Sequence, residues 1–170
     1  MDQTLTAATD YKTCAETAQL VRATLKKQWP CIKFSVRSKT YSGGASIRIH
    51  WTDGPLESAV KAIVYPFEGA TFDGMIDLKT SVYAVYNGRR TNFGSDYIFM
   101  NRQITDEDEL IKLAHAHVIA SCVFRDGLFG NYSPTEMARR VVHQIDFTDC
   151  TIRLEDRIGR AFENLLGRRQ

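Results

Sequence analysis

The spacing of hydrophobic positions changes several times along this chain, and each change marks an element. Cys14, Ala18, Val21, Leu25 and Trp29 recur at three- and four-residue steps, the repeat of one helix face, and Pro30 ends that helix. From Ile32 to Lys39 the pattern turns to strict alternation, with Phe34 and Val36 on one side and Ser35, Arg37 and Lys39 on the other. Ser46 to Trp51 alternates again, setting Ile47, Ile49 and Trp51 against Ser46, Arg48 and His50. Ser42-Gly43-Gly44 between the two runs supplies the backbone freedom of a hairpin loop. Thr52-Asp53-Gly54-Pro55 then reads as the start of a second helix with Pro55 in its first turn and Leu56, Val60, Ile63 and Val64 on its apolar side.

A loop is expected at 68–75, with Phe72 buried between its two glycines. Ser81–Tyr86 and Tyr97–Asn101 read as two further strands. They are joined by a long loop that opens on the turn dipeptide Asn87-Gly88. After Ile104 the period becomes helical and stays so. Thr105-Asp106-Glu107-Asp108 resembles a capping box, and the helix behind it is apolar nearly all round, through Val123 and Phe124, which predicts central burial until Asp126-Gly127 stops it. Ser133-Pro134-Thr135-Glu136 opens the next helix, and a last one runs through Leu154, Ile158, Ala161 and Leu165 to Gly167. The predicted fold is α+β. An α-β-β-α-β-β unit with an antiparallel sheet spans residues 1–104, and a three-helix segment, 105–170, packs on it or mediates self-association.

Composition places the chain among ordinary globular proteins: 170 residues, 44% hydrophobic, 25% charged, net charge +2. The total charge is too small to argue for nonspecific nucleic-acid binding, but its distribution is uneven. No acidic residue lies between Glu16 and Asp53, whereas Arg22, Lys26, Lys27, Lys33, Arg37, Lys39 and Arg48 all do. Cys14, Cys31, Cys122 and Cys150 are dispersed, without the C-x-x-C spacing of a zinc or redox site, and read as reduced thiols. The polar opening Met1–Asp10 lacks a signal-peptide pattern and is expected to fray. The apolar run Leu113–Phe124 is too short to span a bilayer. A cytoplasmic protein is expected.

The run Val21-Arg22-Ala23-Thr24-Leu25-Lys26-Lys27-Gln28-Trp29-Pro30 is followed by Lys33-Phe34-Ser35-Val36-Arg37-Ser38, Tyr41-Ser42-Gly43-Gly44, Ile47, Trp51-Thr52-Asp53-Gly54-Pro55 and Phe72-Asp73-Gly74-Met75. This succession, from Ala18 to about Asp77 and extended by Phe93-Gly94-Ser95-Asp96-Tyr97-Ile98-Phe99 to about residue 102, resembles the large polyvalent protein-associated domain family numbered twenty-nine. The resemblance implies an origin in phages, plasmids or integrative elements, in a bacterial host, often beside counter-defence genes. It supplies no catalytic residue. His50 departs from the pattern, where a small or aliphatic residue is expected beside Trp51.

The residues themselves offer little catalytic chemistry. His115 and His117 stand about 200° apart on a helix and cannot share a metal as an i, i+4 pair does. His143 lies near Asp146, a commonplace pairing. No G-x-S-x-G elbow is present, and Ser42-Gly43-Gly44 joins two strands rather than a strand and a helix, so it reads as a turn and not as a phosphate loop. Asp53 and Asp73 each precede a glycine and suit local turn bonds; with Asp77 they are the carboxylates weighed for a catalytic pair. No catalytic residue, metal or cofactor is assigned.

The hairpin carries the functional expectation. Ser35, Arg37, Lys39, Ser46, Arg48 and His50 share one face, to which further strands would add either Tyr83 or Tyr97 and Phe99. Arg37, Lys39, Tyr41, Ser42, Arg48 and His50 are the expected partner-binding residues, with His50 as a contact rather than a general base. The expected partner is a host defence protein or nucleoprotein complex, with nucleic acid itself as the second class. A homodimer through the C-terminal helices would cover the stripe of Leu154, Ile158 and Leu165.

Overall fold

A computed structural model describes residues 9–75, 78–120, 132–149 and 151–167, apart from the side chain of Asp73. The expected fold class is borne out. Five α-helices and three small sheets make an α+β protein among the described residues, with the last three helices grouped at the C-terminal end. Two compact units result, one drawn from Met1–Trp51 and Glu57–Arg102, the other from Thr52–Leu56 and Gln103–Gln170.

The first unit opens with a short strand, β1 (Asp10–Lys12), and then helix α1 (Cys14–Gln28); of the stretch Met1–Asp10 expected to fray, Asp10 belongs to β1 and residues 1–8 lie outside the described residues. Thr13 caps α1. Its hydroxyl accepts from the Glu16 N–H, and the Glu16 carboxylate accepts from the Thr13 N–H at 2.8 Å, a reciprocal capping box. Cys14, Ala18, Val21 and Leu25 are buried along one stripe, as their spacing predicts. Strands β2 (Ser35–Tyr41) and β3 (Gly44–Thr52) pair antiparallel, with Val36 opposite Ile49 and Tyr41 opposite Gly44. Ile47, Ile49 and Trp51 are fully buried and join the α1 stripe in one core, and Trp29, Phe34 and Trp51 follow one another at ring separations of 5.9 and 5.7 Å.

Helix α2 (Glu57–Val64) starts two residues later than Pro55, because Asp53 and Gly54 both stand at positive φ, 55° and 65°, and bend the chain first. Val60 and Val64 bury its inner face, and a 3-10 turn, Tyr65–Phe67, follows. The next stretch departs most from expectation. Residues read as a loop form strand β4 (Ala70–Asp73), paired antiparallel with β5 (Leu78–Ser81), and Phe72 on it is 52% exposed instead of buried. A two-stranded ribbon has no second layer to bury an aromatic against.

Asn87-Gly88 makes a tight hairpin, not the opening of a long loop. Tyr86 of β6 (Ala84–Tyr86) pairs with Arg89 of β7 (Arg89–Phe93), and φ is positive at both turn residues, 50° and 75°. β7 also pairs in parallel with β1, so this sheet runs β1-β7-β6. Strand β8 (Tyr97–Gln103) leaves that sheet and completes the other in the order β2-β3-β8.

The second unit holds α3 (Glu107–Ala120), α4 (Pro134–His143) and α5 (Leu154–Leu165). The part of α3 described is not centrally buried. Leu110, Ala114 and Val118 face the core shared with α4 and α5, whereas Leu113 and Ile119, on other sides of the helix, are 50% and 55% exposed. Val123, Phe124 and the stop at Asp126-Gly127 lie outside the described residues, as do Cys122 and Cys150. Ser133 caps α4 by accepting from the Glu136 N–H at 3.2 Å. On α5, Ile158, Ala161 and Phe162 are buried, with Leu154 and Leu165 packed beside them, so the stripe is covered within the unit. Residues 52–56 belong here. The Asp53 carboxylate accepts from the Thr105 N–H at 2.9 Å, and the Gly54 carbonyl from the Phe147 N–H at 3.0 Å. No helix among the described residues is long and apolar enough to cross a membrane.

Hydrogen bonds from the Thr13 backbone N–H, then from its hydroxyl, hold the Glu16 carboxyl below the usual carboxylate range. A lowered pKa contributes stability at neutral pH that is lost as pH falls through the folded-state value. Thr13→Ala is expected to cost about 1 kcal/mol through loss of the cap. Denaturant midpoints of the two proteins should differ at pH 7, and the gap should narrow without closing below the normal glutamate range, because only the hydroxyl-to-carboxylate bond is both lost and pH-linked, whereas the bond from the Glu16 N–H is lost at every pH.

Candidate partner-binding face

The period-two pleat of the hairpin separates its residues as the sequence predicts. Ser35 pairs with His50, Arg37 with Arg48 and Lys39 with Ser46 across one face, while Val36, Ile47, Ile49 and Trp51 point to the core. Tyr41 continues the polar face at the hairpin end, where it is 44% exposed. Arg37, Lys39, Arg48 and Ser42 are exposed. Ser46 shares this face but is buried, since a short side chain on the central strand does not reach past its two neighbours.

Of the strands considered as additions, β8 is the one that joins. His50 Nδ1 lies 3.2 Å from Asn101 Oδ1, which places Asn101 on the polar face and, two and four residues earlier, Phe99 and Tyr97 with it. Their rings are 6.2 Å apart, and Phe99 is 53% exposed. Tyr83 belongs elsewhere, with the Arg90 guanidinium 4.1 Å over its ring. The outcome is a three-stranded face with three cations at its centre, Tyr41 at one end and Phe99 on the flanking strand.

Two features of this face are costly to the fold and uncompensated within it. Arg37 and Arg48 are directly opposite in register, an arrangement in which like charges repel. Among the described residues no carboxylate pairs with Arg37, Lys39 or Arg48. The carboxylate that does reach the hairpin is committed at its tip. Asp96 Oδ2 accepts from the Ala45 N–H at 2.9 Å and from Lys79 Nζ at 2.6 Å. That oxygen lies 2.5 Å from where a Gly44 Cβ would stand, so any larger residue at 44 would push the Asp96 carboxylate out of this clamp. Sequence reasoning missed Asp96, Lys79 and Asn101; nothing in their local pattern marks them as neighbours of the hairpin.

The other candidates disperse. His117 packs edge-on against Phe162 at 5.4 Å. His143 Nε2 is 3.3 Å from Glu107 Oε1 and not with Asp146, whose carboxylate accepts from Thr148. Asp53 serves the turn to Thr105. The Asp73 side chain and Asp77 lie outside the described residues. Among the described residues no group of three or more metal-ligating side chains comes together.

The fold and this face thus define a small α+β domain presenting an exposed basic sheet surface whose cations have no carboxylate partner among the described residues. The chain belongs to the family described as large polyvalent protein associated domain 29, whose model matches residues 12–105, and such domains are typical of large polyvalent proteins of mobile elements. The match covers the first unit from Lys12 onward and ends just before α3. No curated protein and no solved structure matches the chain significantly.

Because Arg37 and Arg48 repel across the strands, Arg48→Glu is expected to stabilise the domain, by about 0.5 kcal/mol through a new cross-strand ion pair. The urea midpoint should rise, and should fall back in high salt.

Proposed function

We propose that this mobile-element protein counters a host defence system by binding, without catalysis, and that it docks onto a defence nucleoprotein complex through the β2-β3-β8 face. The observation that carries this reading is the Arg37–Arg48 pair, exposed, opposed and, among the described residues, without a carboxylate. A fold retains such a repulsion at little benefit to itself, whereas an anionic partner seated across both guanidinium groups removes it. Lys39 extends the charge along β2, and His50, Tyr41 and Ser42 border it with groups able to hydrogen-bond or stack. Family context supplies the biological setting, and the residues supply only the surface.

A second reading, a nucleic-acid-binding accessory protein that protects incoming DNA, is favoured by one specific observation. Phe99 is exposed on the same face as the cations, and an aromatic beside cations suits a base stacked above a contacted backbone. The two readings separate in one experiment. A tagged protein is incubated with a host lysate, with and without nuclease, and compared with an Arg37→Glu/Arg48→Glu variant of unchanged circular dichroism. Capture of a defence complex that survives nuclease and is lost in the variant supports docking. Binding to bare single-stranded DNA, with a log–log salt slope of about −2 for three contacts, supports the second reading. Equal capture by both proteins would sink the assignment of this face.

A further inference from the structure

The turn between α1 and β2 encloses a cleft of about 320 Å³ that takes no part in the basic sheet face. Its apolar lining is Ile32 and Phe34, half-buried against the core, together with Pro30. Its rim is cationic. Arg22 and Lys26, four residues apart on α1, and Lys33 from the loop all border it and are exposed. Arg22 is held in position, since its Nη2 donates to the Val36 carbonyl at 2.7 Å. That acceptor is neutral, so the guanidinium charge stays uncompensated, and among the described residues none of the three cations has a carboxylate partner.

An apolar lining beside three positive charges, that of Arg22 held in place, suits a molecule with an apolar body and an anionic head. From this geometry we propose that the cleft binds a small amphipathic anion, a single aromatic or short aliphatic body bearing a phosphate or carboxylate. The size limits the body, because the volume lies near the lower bound of small-molecule pockets. The apolar part replaces water over Ile32, Phe34 and Pro30, and the anionic head meets the rim, with Arg22 able to offer its remaining N–H groups. Like Val36, Phe34 falls on the core side of the hairpin pleat. The cleft and the face of Arg37 and Arg48 therefore lie on opposite sides of β2.

Cys31 provides the reporter. Its thiol is exposed and lines the cleft, whereas Cys14 is buried and its thiol is pushed up by desolvation, which slows its alkylation. Alkylation of the intact chain by neutral iodoacetamide is followed at the Cys31 peptide by mass spectrometry, with phenyl phosphate, phenylacetate, inorganic phosphate or benzyl alcohol present at matched ionic strength. Phenyl phosphate or phenylacetate should protect Cys31 about tenfold at ten times its dissociation constant, and the stronger of the two names the head group. Protection should disappear in Lys26→Glu/Lys33→Glu and persist in Arg37→Glu/Arg48→Glu, each measured against itself without ligand. Protection by benzyl alcohol or inorganic phosphate equal to that of the aryl anions overturns the proposal, as does no protection by either aryl anion. Retention in the Lys26→Glu/Lys33→Glu variant overturns it too.

Discussion

The first unit depends on the burial of one side of β3. Ile47, Ile49 and Trp51 lie at alternate positions and are removed from solvent almost completely, against α1 and α2. A strand's side chains alternate strictly, so this burial leaves Arg48 and His50 no choice but the opposite face. Shifting the pairing with β2 by one residue would expose the three apolar side chains and bury an arginine. The core requirement fixes which face Arg37 and Arg48 take and the two-residue Ser42-Gly43 turn fixes their register, but neither requires arginine at both positions. Burying a Val/Ile-sized side chain contributes roughly 1.5–3 kcal/mol, against less than about 1 kcal/mol for the opposed charges. The core decides.

Charge on the remaining surface is arranged around that fact. Asp96, just before β8, could have neutralised the hairpin, but its carboxylate is occupied by the Ala45 N–H and by Lys79 at the tip. Gly44 leaves room for this oxygen, so the clamp fixes the loop carrying Tyr41 and Ser42 without reaching the cations farther along the strands. β8 then brings an amide and two aromatic rings in place of an acid. The cations stay accessible, and the face keeps its single sign.

Much of this was legible in the residues. The three- and four-residue spacing of α1, the alternation of β2 and β3, the Ser133 cap and the stripe of α5 all use local periodicities that survive folding unchanged. The family resemblance, from Ala18 to about residue 102, likewise falls within the matched span. The misreadings share another physical cause. β7, Arg89-Arg90-Thr91-Asn92-Phe93, lacks the apolar alternation that marks a strand, and forms one where the Asn87-Gly88 turn and pairing with β1 on its other side hold it. Phe72 was expected inside a loop and stands exposed on a ribbon. The apolar circumference of α3 suggested central burial, although two helices cover only one side of its described part.

By itself the sequence determined which side chains share a face, because the strand and helix repeats are properties of the backbone. That was enough to separate the core of the hairpin from its basic side, and to single out Arg37, Lys39, Tyr41, Ser42, Arg48 and His50. Only the tertiary structure decided what lies beside them. Strand order brought β8 rather than the strand before it, placed Asn101 on His50 and Asp96 at the tip, and drew residues 52–56 into the second unit. These neighbours are about fifty residues away in sequence, from Ala45–Asp96 to Asp53–Thr105, beyond the reach of any local repeat. Whether a cation is paired or left open is settled at that range.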